Sequence, residues 1–196
     1  MNAQKLTQKA LEAIQTAQNI AIENQNIQIL PEHLFYALLD GEDGLVNNLF
    51  RKMGKNPDAL LAETDTLIRK LPAVSGSGRE PDKVYISPLT DKILTAAEKL
   101  AADMKDDYVS VEHIMLCIFD YAEGALKDIF RAHGITKDGF LKELKKVTKF
   151  CPHFHLSLQS GCDTTLKRMN RHYTAVEYLE KCEKIRGFYE HPAITT

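Results

Sequence analysis

Pro31-Glu32-His33-Leu34 returns as Val111-Glu112-His113-Ile114, 80 residues further on. A tetrapeptide means little by itself, but the same offset holds on either side of it. Ala17, Ile20 and Ala21 meet Ala97, Leu100 and Ala101 before it. Gly44, Phe50-Arg51 and Gly54 meet Gly124, Phe130-Arg131 and Gly134 after it. Matched glycines mark matched helix ends, which chance similarity does not readily give. A period of this length means that one structural unit is present twice.

Each unit reads as helices. Leu11, Ile14, Ala17 and Ala21 recur at steps of three and four, one face of a first helix. Pro31 suits the first turn of a second, where its missing N–H costs nothing. That helix runs to Leu39 and stops at Asp40-Gly41. Leu45, Leu49 and Met53 line a third, with Gly54 as a left-handed cap. Asn56 caps a fourth, with Pro57 at its first position and Leu60, Leu61 and Leu67 as its apolar side. The second copy repeats the plan, with Ser110 and Thr136 as N-caps. Between the copies, glycine, serine and proline over residues 71–81 deny regular structure and read as a surface linker. No strand alternation is legible before residue 148. The expected fold is all-α: two pseudo-repeated four-helix units in a domain 1–147 (repeat one 1–70, linker 71–88, repeat two 89–147), followed by a short partial β/α tail, 148–196.

Composition narrows the function classes. The formal net charge is −2, so no bulk electrostatic case exists for nucleic acid or an anionic membrane. No apolar run approaches the ~20 residues that span a bilayer. The N-terminal residues lack a signal-peptide core, so cytoplasmic residence is the expectation. The four cysteines, Cys117, Cys151, Cys162 and Cys182, form no CxxC pair, and a chain this long builds a core without disulfides. Up to Val147 the chain holds 18 basic and 22 acidic residues; beyond it, 7 and 5, with four of the seven histidines. The two parts read like different proteins.

Specific strings carry a family resemblance. They are Leu6-Thr7-Gln8-Lys9-Ala10, Ala17-Gln18, Leu30-Pro31-Glu32-His33-Leu34, Leu71-Pro72 with Val74-Ser75-Gly76-Ser77-Gly78, and Tyr108-Val109-Ser110-Val111-Glu112-His113. Residues 1–147 resemble the Clp N-terminal repeat domain, and the last two strings look like the ClpB type of Hsp100 chaperone. The resemblance implies a non-enzymatic binding module above an ATP-driven ring. It would dock exposed apolar segments of unfolded or aggregated polypeptide, or an adaptor. Alternatively, as a free domain, it would compete with full-length ClpB for them. It further implies a peptide groove involving Thr7, Asp106 and Glu112; no metal or cofactor is expected, and without ring-forming ATPase segments the expected state is a monomer. Plainer roles stand beside these. Thr7 reads as an N-cap, and Glu112, like Glu32, favours a helix dipole from a first turn. Asp106-Asp107 reads as a solvated turn. His33 and His113, at equivalent places, suit packing or capping better than metal, and Cys117 reads as a buried small apolar residue.

The tail does not continue that family. No GxxxxGK[ST] occurs anywhere in the chain, so no P-loop is present. Residues 150–196 resemble part of the radical-SAM core of the tRNA methylthiotransferases, nearest the MtaB branch. That resemblance implies a strand over 155–160, a helix over 175–189 with Tyr178, Cys182 and Ile185 on one side, and a strand opening at Pro192-Ala193-Ile194. The alternative function is therefore a piece of such an enzyme. Against it, the cluster motif CxxxCxxC is missing, because Cys151, Cys162 and Cys182 lie too far apart to form that loop. Cys151, His153 and His155 alternate and would share one side of a strand, but no fourth ligand is evident for zinc. The basic cluster of Lys167, Arg168, Arg171 and His172 reads as a solvated face rather than an RNA site. Both resemblances break off near Val147-Thr148, so the chain reads as a join of two unrelated segments.

Overall fold

The computed structural model describes residues 3–41, 44–74, 84–147, 153–188 and 193–195. The chain divides into two compact units, Met1–Lys146 and Val147–Thr196.

Among its described residues the first unit holds eight α-helices: α1 (Gln8–Glu23), α2 (Pro31–Leu39), α3 (Leu45–Lys52), α4 (Pro57–Ile68), α5 (Pro88–Asp103), α6 (Val111–Tyr121), α7 (Gly124–Ala132) and α8 (Lys137–Leu144). α1 and α5 superpose residue for residue at the repeat offset, and the other pairs agree within a few residues at their ends. The caps expected of Asn56 and Thr136 form, while Ser110 holds the N-cap position of α6 with its hydroxyl 2.7 Å from Nδ1 of His113. Asn56 Oδ1 accepts the N–H groups of Asp58 and Ala59, and Thr136 Oγ1 accepts that of Gly139. Gly54 and Gly134 both take φ near +60° (71° and 57°) after α3 and α7, where only glycine is unstrained.

Two apolar faces differ from the sequence reading. α1 buries Ala10, Ala13, Ala17 and Ala21 rather than Leu11 and Ile14, which are half-buried. An alanine stripe lets α1 close tightly onto α2, and the larger side chains flank the contact. α4 buries Leu60, Thr64 and Ile68, while Leu61 and Leu67 are half-buried. Thr64 is tolerated inside because its hydroxyl donates to the Leu60 carbonyl at 2.7 Å. Cys117 is buried as expected, and burial pushes its thiol up to about 11.

The two repeats are exchanged at their edges. β1 (Gln28–Ile29) leads into α2 and pairs in parallel with β2 (Tyr85–Ile86), which leads into α5. In the mirror relation Leu6, before α1, bridges Val109, before α6. The Thr7 N–H donates to the Val109 carbonyl at 2.9 Å, and its counterpart, the Ser87 N–H, donates to the Ile29 carbonyl at 3.1 Å. These two-residue strands are the strands the sequence did not show. β2 and the first residue of α5 also lie within the span 71–88 expected to be linker. The glycine-serine part of that linker, residues 75–83, lies outside the described residues. Packing follows the same exchange, with α3 against α8 and α4 against α7. Phe35 and Phe50 of repeat one interlock with Phe119, Phe130 and Phe140 of repeat two in one aromatic core.

α1 and α5 end alike. Gln25 and Lys105, 80 residues apart, take positive φ (57° and 60°) and close Schellman turns: the Asn26 N–H donates to the Ala21 carbonyl and that of Asp106 to Ala101, both at 2.9 Å. A side chain in this region is strained by ~1 kcal/mol. Lys105→Gly should therefore raise unfolding free energy by about 0.5–1 kcal/mol, measured by urea titration. A loss of stability would show that the Lys105 side chain contributes more than its backbone strain costs.

In the second unit β3 (His153–His155) pairs in parallel with β4 (Ala193–Thr195), joined through α9 (Asp163–Arg168) and α10 (Ala175–Phe188). The expected strand over 155–160 instead ends at His155. Past it the Leu156 N–H still donates to the Thr195 carbonyl, and the carbonyls of 156–158 accept the hydroxyls of Tyr178 and Tyr173. α10 turns Cys182 inward, flanked by half-buried Tyr178 and Ile185, as read. Cys151 and the side chains of His153 and His155 lie outside the described residues, so the alternating trio does too.

Candidate functional site

The N-termini of α1 and α6 lie side by side, because the Leu6–Val109 bridge fixes the chain just before each. Thr7 caps α1: its Oγ1 accepts the Ala10 N–H at 3.2 Å while its own N–H is held by Val109. Glu112 stands half-buried in the first turn of α6, where the helix dipole favours a carboxylate. Thr7 and Glu112 thus share one edge of the unit.

Asp106 stands on the same 106–110 segment but is held inward. Its Oδ2 lies 3.2 Å from Nε2 of His113, which is buried. The tautomer follows from the other ring nitrogen. The Ser110 N–H donates to Nδ1 at 3.1 Å, so Nδ1 is the acceptor and Nε2 carries the proton. The first repeat builds the same latch with neutral partners. The Leu30 N–H donates to His33 Nδ1, and His33 Nε2 donates to Asn26 Oδ1, both at 2.9 Å. Asn26 Nδ2 then donates to the Pro72 carbonyl at 3.2 Å, tying down the start of the linker. His33 is wholly buried, and burial lowers its pKa to about 4. The histidines therefore cap and pack, as their equivalence implied, and among the described residues no cluster could hold a metal. Glu32, the counterpart of Glu112, has its carboxyl pushed up by burial.

A groove of about 520 Å³ opens beside this edge. α1 forms one wall with Lys9, Glu12 and Ala13. The turn after α2 forms another with Asp40 and Gly41, and Val111, the neighbour of Glu112, reaches it from α6. Sequence reading missed this groove. Its signal lay in the repeat itself: Ala13 and Gly41 stand where the second copy has Ile93 and Tyr121.

Comparison with known proteins places these features in a family. The family described as the Clp repeat (R) N-terminal domain matches residues 5–133. Chaperone protein ClpB of Clostridium perfringens is 38% identical over 148 residues, 75% of this chain and 17% of that protein. The ClpB of Bacillus anthracis is 37% identical over 147 residues, with the same coverage. The chain thus spans about a sixth of the length of these relatives. The Hsp104 N-terminal domain of Candida albicans shares the fold, with a TM-score of 0.62 at 24% identity over 71% of this chain and 88% of that one. So does a ClpV N-domain solved in complex with a VipB peptide, with a TM-score of 0.57 at 20% identity over 75% and 91%. With the repeat, the caps and the family match in agreement, the chain belongs to the Clp repeat N-terminal domain family.

Proposed function

We propose that residues 1–146 are the substrate- or adaptor-docking domain of a ClpB-type disaggregase chaperone. The domain binds exposed segments of unfolded or aggregated polypeptide and carries no catalytic centre. The observation that carries this reading is the Leu6–Val109 bridge, which sets Thr7 and Glu112 on one edge beside an open groove. A half-buried carboxylate on the edge beside a groove favours basic, apolar segments, and a wide, shallow site binds many sequences weakly rather than one tightly. Asp106 acts on this edge through His113, holding the 106–110 segment in place, more than through direct contact. The domain works as a cytoplasmic monomer, with neither membrane nor nucleic acid as partner. The tail is similar to part of a methylthiotransferase barrel, a reading supported by the parallel β3–β4 pair joined through two helices.

Fluorescence anisotropy with a labelled, permanently unfolded client tests the edge. Glu112→Ala should weaken binding by about tenfold, the loss of one charge-assisted contact. Thr7→Ala should weaken it while Thr7→Ser, which keeps the capping oxygen, should not. If Glu112→Ala and Thr7→Ala both stay folded and bind like the parent, the site is elsewhere.

A further inference from the structure

The two histidine latches differ at the points that decide how each meets a second proton. His33 and His113 stand 80 residues apart, and each ring accepts a backbone N–H on Nδ1 and donates from Nε2. In the first latch Nε2 faces the neutral amide of Asn26, and Nδ1 faces Leu30, whose side chain has no acceptor. A proton added at Nδ1 there meets only the Leu30 N–H, another donor. In the second latch both partners are changed. Asp106 replaces Asn26, with Oδ2 3.2 Å from Nε2, and Ser110 replaces Leu30, with Oγ 2.7 Å from Nδ1. A hydroxyl both donates and accepts, so Ser110 can turn a lone pair toward an added Nδ1–H while Asp106 holds the cation through Nε2–H.

Among the described residues Asp106 is the only charged partner of the His113 ring. Next to the ring on α6 stand Glu112 and the buried Cys117, whose thiol stays neutral. On the helices packed against α6, Lys9 and Glu12 of α1 pair with each other, Glu98 of α5 pairs with Lys5, and Lys137 of α8 pairs with Asp120. Asp91, Lys99 and Asp103 of α5 are exposed, and Glu32 and Tyr36 of α2 and Arg51 and Lys52 of α3 make no bond to either ring. The charge state of His113 is therefore set by its own latch.

We propose that in mild acid the second latch carries its extra proton with the chain folded, whereas the first latch cannot, so that acid loosens one edge of the domain and leaves the other closed. The closed edge is the one that holds Thr7 and Glu112, because a charged His113 still ties Asp106 to Ser110 across the segment paired with Leu6. The loosened edge is the β1–β2 pair, because His33 holds segment 26–30 only while neutral. Its release also frees Asn26 from the Pro72 carbonyl, and so frees the start of the linker. An opening that exposes His33 becomes about tenfold easier between pH 7.5 and pH 5.5, the proton-linked gain for a ring kept neutral by burial. An opening around His113 gains nothing, since that ring is charged both open and closed. The bearing on clients rests on the docking function proposed above.

Two readouts on the full chain test this without any ligand, so they stand or fall apart from docking. Nitrogen-15 NMR of the imidazole rings at pH 5.5 should show His113 with both nitrogens protonated and His33 with one. Hydrogen exchange, corrected for intrinsic rates, should show the Tyr85 and Ser87 amides, which bond to β1, losing about tenfold in protection from pH 7.5 to pH 5.5. The Thr7 and Val109 amides at the other edge should change by less than about twofold. Asp106→Asn, which installs the residue of the first latch, should leave His113 neutral at pH 5.5 and give Thr7 and Val109 the larger loss. Should that variant unfold, Ser110→Ala removes the acceptor at Nδ1 and should act in the same direction. A parent with a neutral His113 at pH 5.5 overturns the proposal, as does an equal loss of protection at the two edges. So does a folded variant of either kind in which His113 keeps the parent's charge.

Discussion

Phe35→Ala should lower the unfolding free energy of the first unit by about 3–5 kcal/mol, the usual cost of emptying a fully buried phenylalanine site. Phe35 has no exposed surface and makes edge contacts with Phe130 at 5.0 Å and Phe50 at 6.3 Å. Phe130 belongs to the other repeat, so the substitution loosens the contact between copies as well as the packing within one. Collapse is hindered because Phe50 and Phe130 are themselves held by Phe140 and Phe119. Urea titration followed by circular dichroism measures the change, and Phe35→Leu should cost much less because it leaves a smaller void. A loss below about 1 kcal/mol for the alanine variant would mean that the aromatic core relaxes freely, against the packing described.

Mild acid should destabilise the first unit through His33. Its folded pKa is about 4 against an ordinary value of 6.5, so the unfolded chain takes the proton first. The contribution is therefore complete above about pH 6.5 and is lost as pH falls from there toward 4. The shift bounds it at about 3 kcal/mol. Protonation is costly for a visible reason: Nδ1 already accepts the Leu30 N–H and Nε2 already donates to Asn26, so a second proton has no acceptor. Carboxylates titrate in the same range, so the informative quantity is the difference between the parent and His33→Gln. The gap between their stabilities should narrow on going from pH 7 to pH 4.5. A gap independent of pH would show that His33 does not stay neutral in the folded chain.

The repeat made most of the fold legible. One tetrapeptide and its offset placed eight helices, and Asn56, Thr136 and Gly54 marked ends that the structure keeps. What escaped was of two kinds. Strands of two residues, such as Gln28–Ile29 and Tyr85–Ile86, are too short for alternation to register, and their pairing depends on a partner far along the chain. Side-chain roles set by such partners escaped as well. Asp106 reads as a solvated turn residue until His113 is seen against it, and Leu11 outranks Ala10 by hydropathy although the alanine lies at the helix contact. The groove lay between these cases. It was invisible in either copy alone, yet the two copies set side by side show Ile93 and Tyr121 against Ala13 and Gly41.

The exchanged edges bear on the order in which the molecule can assemble. The segment that leads into α1 is fastened by Val109, and Leu6 meets it only after the first five helices are available. During synthesis the first four helices would emerge with their leading edge unmatched and with Phe35 facing no partner from α7. Closing a loop of this length costs chain entropy before any contact offsets it. Maturation of the first copy therefore waits on the second, and a ribosome paused in the linker would hold a half that is itself a candidate client for chaperones.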